Sequence, residues 1–523
     1  MNLGTLFDRA VRDHADKIAI IDHEIGASIS FADLGTRANR VAHALIAAGL
    51  SKGDRAAVVM PNCHQAIAID GALMKTGVIK VPLNARTSAS EIGGMLNDSG
   101  ASILFTHESL AGLAEAAVKI SGRTLIVVVV GVDAPLAGWH SFDPFIADAP
   151  STQICADIVA DDVYKLQYTS GTSGVLKSAM LTHKNWLCLT RTVLMRRGLF
   201  NDAPQISAYV APITHAAGGP ILANLINGST NVLLRKFDPV DFLEMVQLYR
   251  VSDILLVPTM INLVIECPSV KDYDLSSLET ITYGTSPMSP ERIKQAVTLF
   301  GNVLVQGYGQ TESTAVISML NREDHLAVNN PELSHRLLSA GRPVLECEVK
   351  IVDDDGNPVP AGDVGEIIIR GDMVMKGYWN APELTAETVR DGWLFTRDMG
   401  RLDEDGYLYL VDRKSDMIIS GGFNVYPAEV ENALYQHPSV FEVAVVGVPD
   451  AKWGETVKAV VVLKAGANAS ESELIEHCQS LLARFKAPTS VDFTSELPKS
   501  AVGKTLRRVI RETYWQGQER RIN

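Results

Sequence analysis

The run Tyr168-Thr169-Ser170-Gly171-Thr172-Ser173-Gly174-Val175-Leu176-Lys177 concentrates residue types that bind phosphate. Glycines let backbone N–H groups come close to an anion, hydroxyls add donors, and Lys177 adds a point charge. A strand-like entry over residues 163–168 leads in and a helical pattern starts near Thr182, so the cradle is expected between a strand and a helix. The spacing from Gly171 to Lys177-Ser178 matches a Walker A loop, but Leu176 stands where that loop needs glycine. A Cβ there resists the required backbone geometry and closeness, so the Walker reading is rejected. On its own the run also reads as a flexible Gly/Ser/Thr loop.

The block resembles the phosphate loop of the adenylate-forming superfamily, which contains acyl-CoA synthetases, peptide-synthetase adenylation domains and luciferases. That pattern usually reads TSGTTG, any residue, then Pro-Lys-Gly. Here Ser173, Leu176 and Ser178 replace Thr, Pro and Gly, while Lys177 remains. Four further blocks match in the same order. Tyr283-Gly284-Thr285-Ser286-Pro287-Met288 resembles the segment that lies along the adenine. Tyr308-Gly309-Gln310-Thr311-Glu312 resembles the block whose ring stacks on the base, whose threonine reaches the α-phosphate and whose glutamate holds Mg²⁺. A hard cation bridging phosphate oxygens takes an oxygen ligand such as Glu312. Asp398 in Trp393-Leu394-Phe395-Thr396-Arg397-Asp398 resembles the acid that accepts both ribose hydroxyls, and Arg413 a second ribose contact. Arg397 sits where glycine is common, so its side chain is expected to point away from the nucleotide. Leu497-Pro498-Lys499-Ser500-Ala501-Val502-Gly503-Lys504 resembles the block that ends in the catalytic lysine, Lys504.

The resemblance implies an acid–thiol ligase using ATP, Mg²⁺ and coenzyme A. Lys504 would bridge the carboxylate and the α-phosphate, and a general base is unnecessary because the acid is already ionised near neutral pH. The family then rotates its small C-terminal domain to admit the thiol, with the hinge here at Ser415, where Asp or Lys is usual. Gly421 and Gly422 resemble the turn entering the pantetheine tunnel, and Phe423 follows where many relatives carry Glu. The acyl pocket is expected between residues 211–219, the Tyr283 block and residues 309–314, with His215 as a gate beside the carboxylate or simply a wall residue. These segments contain no Lys or Arg, and Glu312 is their only acid, so an apolar monocarboxylate, fatty or aryl, is expected. CoA is favoured over a carrier protein because no carrier domain follows Lys504. Another acceptor, or a nucleotide-binding protein without turnover, are the alternatives.

The elements that must position these residues follow from patterning. Over residues 1–410, strand-like runs (56–60, 103–106, 125–130, 232–234) alternate with helical ones (31–48, 239–249), as in a layered, mostly parallel sheet. Near Gly362 the texture turns to close Gly/Asp turns and a small antiparallel region. Helix 427–435, strands 441–447 and 458–463 and helix 471–482 form an α+β unit beyond the polar run Asp412–Asp416. The expected fold is α/β: a large multi-subdomain N-terminal domain over 1–412, and a small mobile α+β C-terminal domain over 413–523. The net charge of −14 argues against nucleic acid as a partner, although residues 484–523 carry nine Lys/Arg against four Asp/Glu, as on a solvated helix face. Six scattered cysteines without a CxxC pair indicate reduced thiols and a cytoplasmic setting. The longest apolar run, Leu125–Val130, is too short to span a membrane, and the amphipathic N-terminus lacks a signal-peptide core. Homo-oligomerisation stays open.

Overall fold

Alternating strands and helices in the first two thirds of the chain build two mostly parallel sheets that share a helical layer. A computed structural model describes the chain except Met1, Ala134, Cys155, residues 171–175 and 198–204, Pro287, Ala315, residues 414–415 and 421–422, Ala451, residues 500–504 and 517–523, and the side chains of Ser170 and Arg197. One sheet has nine strands in the order Arg342–Pro343, Ser318–Leu320, Leu304–Tyr308, Thr280–Gly284, Asp253–Leu256, Ile206–Tyr209, Thr230–Leu233, Ile18–Asp22 and Ala27–Ser30. Its central strands are parallel and its outer ones antiparallel. The other has eight: Gly377–Tyr378, Leu176–Thr182, Val163–Ser170, Ile79–Pro82, Arg55–Val59, Ile103–His107, Ile126–Val130 and His140–Ser141.

Local chemistry explains the helices between them. Ser30 accepts the Asp33 amide to start Phe31–Ala47, and Asp238 caps Pro239–Tyr249 through the amides of Val240 and Asp241. Phe7, Phe31, Phe105 and Tyr164 fill the layer shared by the sheets. Val59, Leu104 and Leu166 face the opposite side of the eight-stranded sheet, so its strands are buried on both faces and read as continuous apolar runs. Phe242, Leu256, Ile281 and Tyr283 form a separate core beside the nine-stranded sheet.

The antiparallel region near Gly362 is a five-stranded sheet: Glu348–Val352, Gly365–Arg370, Trp393–Leu402 and Val389–Arg390, with Leu408–Arg413 also paired to Trp393–Leu402. After it, Phe423–Val425, Ile418–Ser420, Gly454–Leu463, Val440–Asp450 and Ser490–Phe493 form a further sheet. Alternate residues of its long hairpin face opposite ways. Val443, Val445 and Val461 pack under helices Pro427–Leu434 and Glu471–Leu481, while Ala444, Val446 and Val460 pack against Ile510 of helix Arg507–Tyr514.

One reading changes. The phosphate-binding block does not run directly from a strand into a helix: a second strand, Leu176–Thr182, pairs antiparallel with Val163–Ser170 before helix His183–Arg197 begins. In the polar run expected at the domain boundary, the Asp412 side chain is 2% exposed. Among the described residues no helix is long and apolar enough to cross a membrane, and the five described cysteines are free.

Candidate active site

Three parallel strands of the nine-stranded sheet end at one edge, and each hands on one expected segment. Ile206–Tyr209 leads to residues 211–219, Thr280–Gly284 to Thr285-Ser286, and Leu304–Tyr308 to Gly309–Glu312. The carboxyl edge of a parallel sheet is where such folds bind ligands, since connecting loops there are free to diverge while the strands hold them in place. Gly284 lies opposite Gly307 in the ladder, and a Cβ on it would come 2.3 Å from the Gly307 carbonyl oxygen. Thr285 follows at φ +69°, so the chain turns sharply away from the strand end.

Beyond Tyr308 the chain forms a single 3₁₀ turn, Thr311–Ser313. The Gln310 amide donates to Ser313 Oγ at 3.1 Å, and that hydroxyl donates back to the Gln310 carbonyl at 2.9 Å. Gln310 Nε2 is buried without a partner. Tyr378 Oη donates to Glu312 Oε1 at 2.8 Å, and the Met375 amide donates to the Glu312 carbonyl at 2.8 Å. Tyr378 belongs to the edge strand of the other sheet, opposite Ala179. The turn is thereby tied to the hairpin in which Thr169 faces Lys177 and Ser170 faces Leu176. Leu176 is extended in this ladder, and its side chain lies so near Gly94 that a Cβ there would be 3.1 Å from Leu176 Cδ1.

Asp398 comes from the antiparallel sheet. Tyr308 Oη donates to its Oδ2 at 2.7 Å, and Arg413, its ladder partner, approaches Oδ1 at 3.3 Å. Burial, reinforced by the Asp398 charge, raises the Tyr308 phenol well above its ordinary range, so it remains a donor. Arg397 has φ +60°, a left-handed backbone that favours glycine. Its amide donates to Glu366 Oε1 at 3.0 Å, while its half-exposed guanidinium lies 3.9 Å from Glu387 Oε2. His215 is half-buried and precedes the 3₁₀ turn Ala216–Gly218; a Cβ on Gly218 would lie 2.0 Å from the Ile213 carbonyl oxygen.

Thr169, Ser170, Lys177, Gly284, Thr285, Ser286, Tyr308, Gly309, Gln310, Thr311, Glu312, Asp398, Arg413 and His215 are all described. Gly171, Thr172, Ser173, Gly174, Ser415, Gly421, Gly422 and Lys504 lie outside the described residues. The residues present could hold a nucleotide and a divalent cation: Asp398 is a carboxylate acceptor held by Tyr308 and Arg413, Gln310 Nε2 is an unused donor, and Glu312 offers an oxygen ligand. No group of three or more His, Cys, Asp or Glu converges among the described residues, so a cation there would complete its shell with phosphate oxygens and water. Tyr378 was not found from sequence. The Gly377-Tyr378-Trp379 run marks a turn and an aromatic, but its acceptor lies 66 positions away.

A sheet edge that gathers a phosphate-type hairpin, an acidic 3₁₀ turn and a ribose-type carboxylate defines a nucleotide-dependent, adenylate-forming enzyme. The chain belongs to the AMP-binding enzymes, the adenylate-forming acyl-CoA synthetases, which use ATP, Mg²⁺ and CoA: residues 7–379 match the AMP-binding enzyme family and residues 429–504 its C-terminal domain. It is 40% identical over 497 residues to a feruloyl-CoA synthase from Amycolatopsis sp, covering 94% of each chain. It is 33% identical over 537 residues to a medium/long-chain-fatty-acid–CoA ligase of Mycobacterium tuberculosis, covering 99% of this chain and 91% of that one. Among solved structures it resembles the amide bond synthetase McbA from Marinactinospora thermotolerans (TM-score 0.88, 30% identity, 97% of this chain and 99% of that one). It also resembles the anthranilate CoA ligase AuaEII in complex with anthranoyl-AMP (TM-score 0.88, 26% identity, 98% and 97%).

Proposed function

We propose that the protein is an ATP- and Mg²⁺-dependent acid:CoA ligase that converts an apolar monocarboxylic acid, fatty or aryl, first to acyl-AMP and pyrophosphate and then to acyl-CoA and AMP. The observation that carries this reading is the joining of Glu312 to the Thr169–Lys177 hairpin through Tyr378, beside the Tyr308–Asp398 pair. In this reading they supply the three parts that ATP needs: a cation-binding carboxylate, a phosphate cradle and a ribose acceptor.

Bringing a carboxylate to the α-phosphate sets anion against anion, so the task is electrostatic. In this reading Asp398 and Arg413 fix the ribose, Tyr308 supports the base, and Thr285 and Ser286 lie along it. Thr169, Ser170, Gly171, Thr172, Ser173, Gly174 and Lys177 receive the β- and γ-phosphates, and Thr311 the α-phosphate. Mg²⁺ bound by Glu312 would neutralise phosphate charge and stabilise departing pyrophosphate. Lys504 bridges the two reacting anions, which is worth several kcal/mol in a water-poor site. Residues 413–523 then turn about a hinge near Ser415, withdrawing Lys504 and bringing Gly421 and Gly422 to the thiol. The segment 211–219, with small Ala216 to Gly219 beside His215, forms the wall of the acyl pocket.

Relatives named for feruloyl and for fatty acyl thioesters support both an aryl and an aliphatic acid, and those names support CoA as acceptor. The amide bond synthetase among the structural neighbours favours an amine as the second possibility. One assay separates these readings: aliphatic and aryl acids with ATP and Mg²⁺, with CoA, with an amine and with neither, scored for pyrophosphate, thioester and amide. Acid-dependent pyrophosphate with thioester only when CoA is present is the expected result. Amide without thioester overturns CoA as the acceptor, and no pyrophosphate with any acid overturns the ligase.

A further inference from the structure

Tyr378 lies outside every motif named above, yet its phenol ends on Glu312. Oη donates to Oε1 at 2.8 Å, and among the described residues Oε2 carries no hydrogen bond. The ring is 7% exposed. A hydroxyl donating to a carboxylate is a charge-assisted bond and stronger than a neutral one.

The backbone around the ring is held on two sides. The Lys376 amide donates to the Met180 carbonyl at 3.0 Å and the Trp379 amide to the Ser178 carbonyl at 2.8 Å, which ties the segment to the hairpin that bears Lys177. On the other side the Met375 amide donates to the Glu312 carbonyl at 2.8 Å, and Thr314 Oγ1 donates to the Met373 carbonyl at 2.7 Å. The segment from Met373 to Trp379 is thus a splint between the two elements, and Tyr378 is the side chain in it that reaches a carboxylate. Packing alone asks only for the ring, which phenylalanine would supply. The hydroxyl matters for where the carboxylate points.

We infer that Tyr378 is a positioning residue for divalent-cation binding: it holds Oε1 of Glu312 and thereby sets the direction in which Oε2 faces a cation on the phosphates of ATP. The inference rests on the proposed assignment of Glu312. Unheld, the glutamate must surrender rotamer freedom each time a cation binds, and outer partners of metal ligands commonly change metal affinity by about 10- to 100-fold.

The test compares full-length wild type, Tyr378→Phe and Glu312→Gln by calorimetric ATP binding across a Mg²⁺ titration and in EDTA, with thermal midpoints alongside. Tyr378→Phe is expected to raise the Mg²⁺ concentration for half-maximal ATP binding roughly tenfold, with ATP affinity in EDTA and the thermal midpoint unchanged. An unaltered Mg²⁺ requirement, or an equal loss with and without Mg²⁺, overturns the inference, the second because it marks a packing role. Glu312→Gln separates the two levels. If it shifts the Mg²⁺ requirement and Tyr378→Phe does not, only the role of Tyr378 falls. If it too is silent, the assignment of Glu312 falls and takes the inference with it.

Discussion

Arg507 and Asp412 meet at 3.3 Å across the junction between the antiparallel sheet and the last helix, although 95 positions separate them in the chain. Arg507 also forks onto Glu431, at 2.9 Å to Oε1 and 2.5 Å to Oε2, and Glu431 Oε1 accepts the Val445 amide at 2.8 Å. Asp412 Oδ2 accepts the Ala428 amide at 2.8 Å, at the start of helix Pro427–Leu434. A half-buried guanidinium faces Asp412 and Glu431, with Asp416 3.6 Å away, and its planar fork suits two carboxylates at once.

Burial raises the Asp412 carboxyl from 3.8 to about 6; Arg507 opposes the rise without cancelling it and Glu431 adds to it. The native protein therefore holds this proton more tightly than the unfolded chain. The contribution to stability is full below about pH 4 and is lost as pH climbs through about 6. In denaturant titrations, the stability of wild type minus that of Asp412→Asn should fall by about 2 kcal/mol between about pH 4.5 and about pH 7.5. A difference that is flat or rises with pH refutes the assignment.

Tyr308→Phe keeps the ring but removes the hydroxyl from Asp398. Losing one such bond costs about 0.5–1.5 kcal/mol, so ATP should bind about 2- to 10-fold more weakly. The same comparison with a 2′,3′-dideoxy nucleotide should show a smaller loss, because the carboxylate being oriented then has no hydroxyls to accept. Equal losses with both nucleotides mean that Tyr308 acts elsewhere.

At Arg397, φ +60° is strained for any residue with a Cβ and worse for a β-branched one. Arg397→Gly should change stability by less than about 1 kcal/mol, since relief of strain offsets the entropy gained by the unfolded chain. Arg397→Val should cost about 1–2 kcal/mol. Thermal midpoints of the two variants check this, and a more stable valine variant contradicts it.

Periodicity located most elements to within a few residues: Pro239–Tyr249 lies where expected, and Glu471–Leu481 and Pro427–Leu434 end one residue early. Asp238 and Ser470 cap the first two through their side chains, Pro427 starts the third at its first turn, and each carries buried apolar residues along one face, so local chemistry suffices. The strand Leu176–Thr182 escaped notice because Lys177 and Ser178 look like loop, and only pairing with Val163–Ser170 makes them strand. Asp398, Glu312 and Arg413 were singled out by neighbouring motif residues, and folding sets Asp398 beside Arg413 and Tyr308. Tyr378 and the Asp412–Arg507 pair were not, since a phenol or a carboxylate reveals its partner only after folding closes 66 or 95 positions of chain. A basic tail that reads as a solvated face in fact places Arg507 in ion pairs with three acids.

The face-to-face glycines of the nine-stranded sheet bear on any attempt to redirect the enzyme to a new acid. Gly284 has the Gly307 carbonyl 2.3 Å from where a first side-chain atom would sit, and Gly218 has the Ile213 carbonyl at 2.0 Å. Both obstacles are backbone, so no neighbouring rotamer can yield. A randomised library that includes these two codons would spend most of its members on misfolded protein. Diversity placed at Thr285, Ala216 and His215 instead can alter the proposed acyl-pocket wall while the strand ends stay where they are.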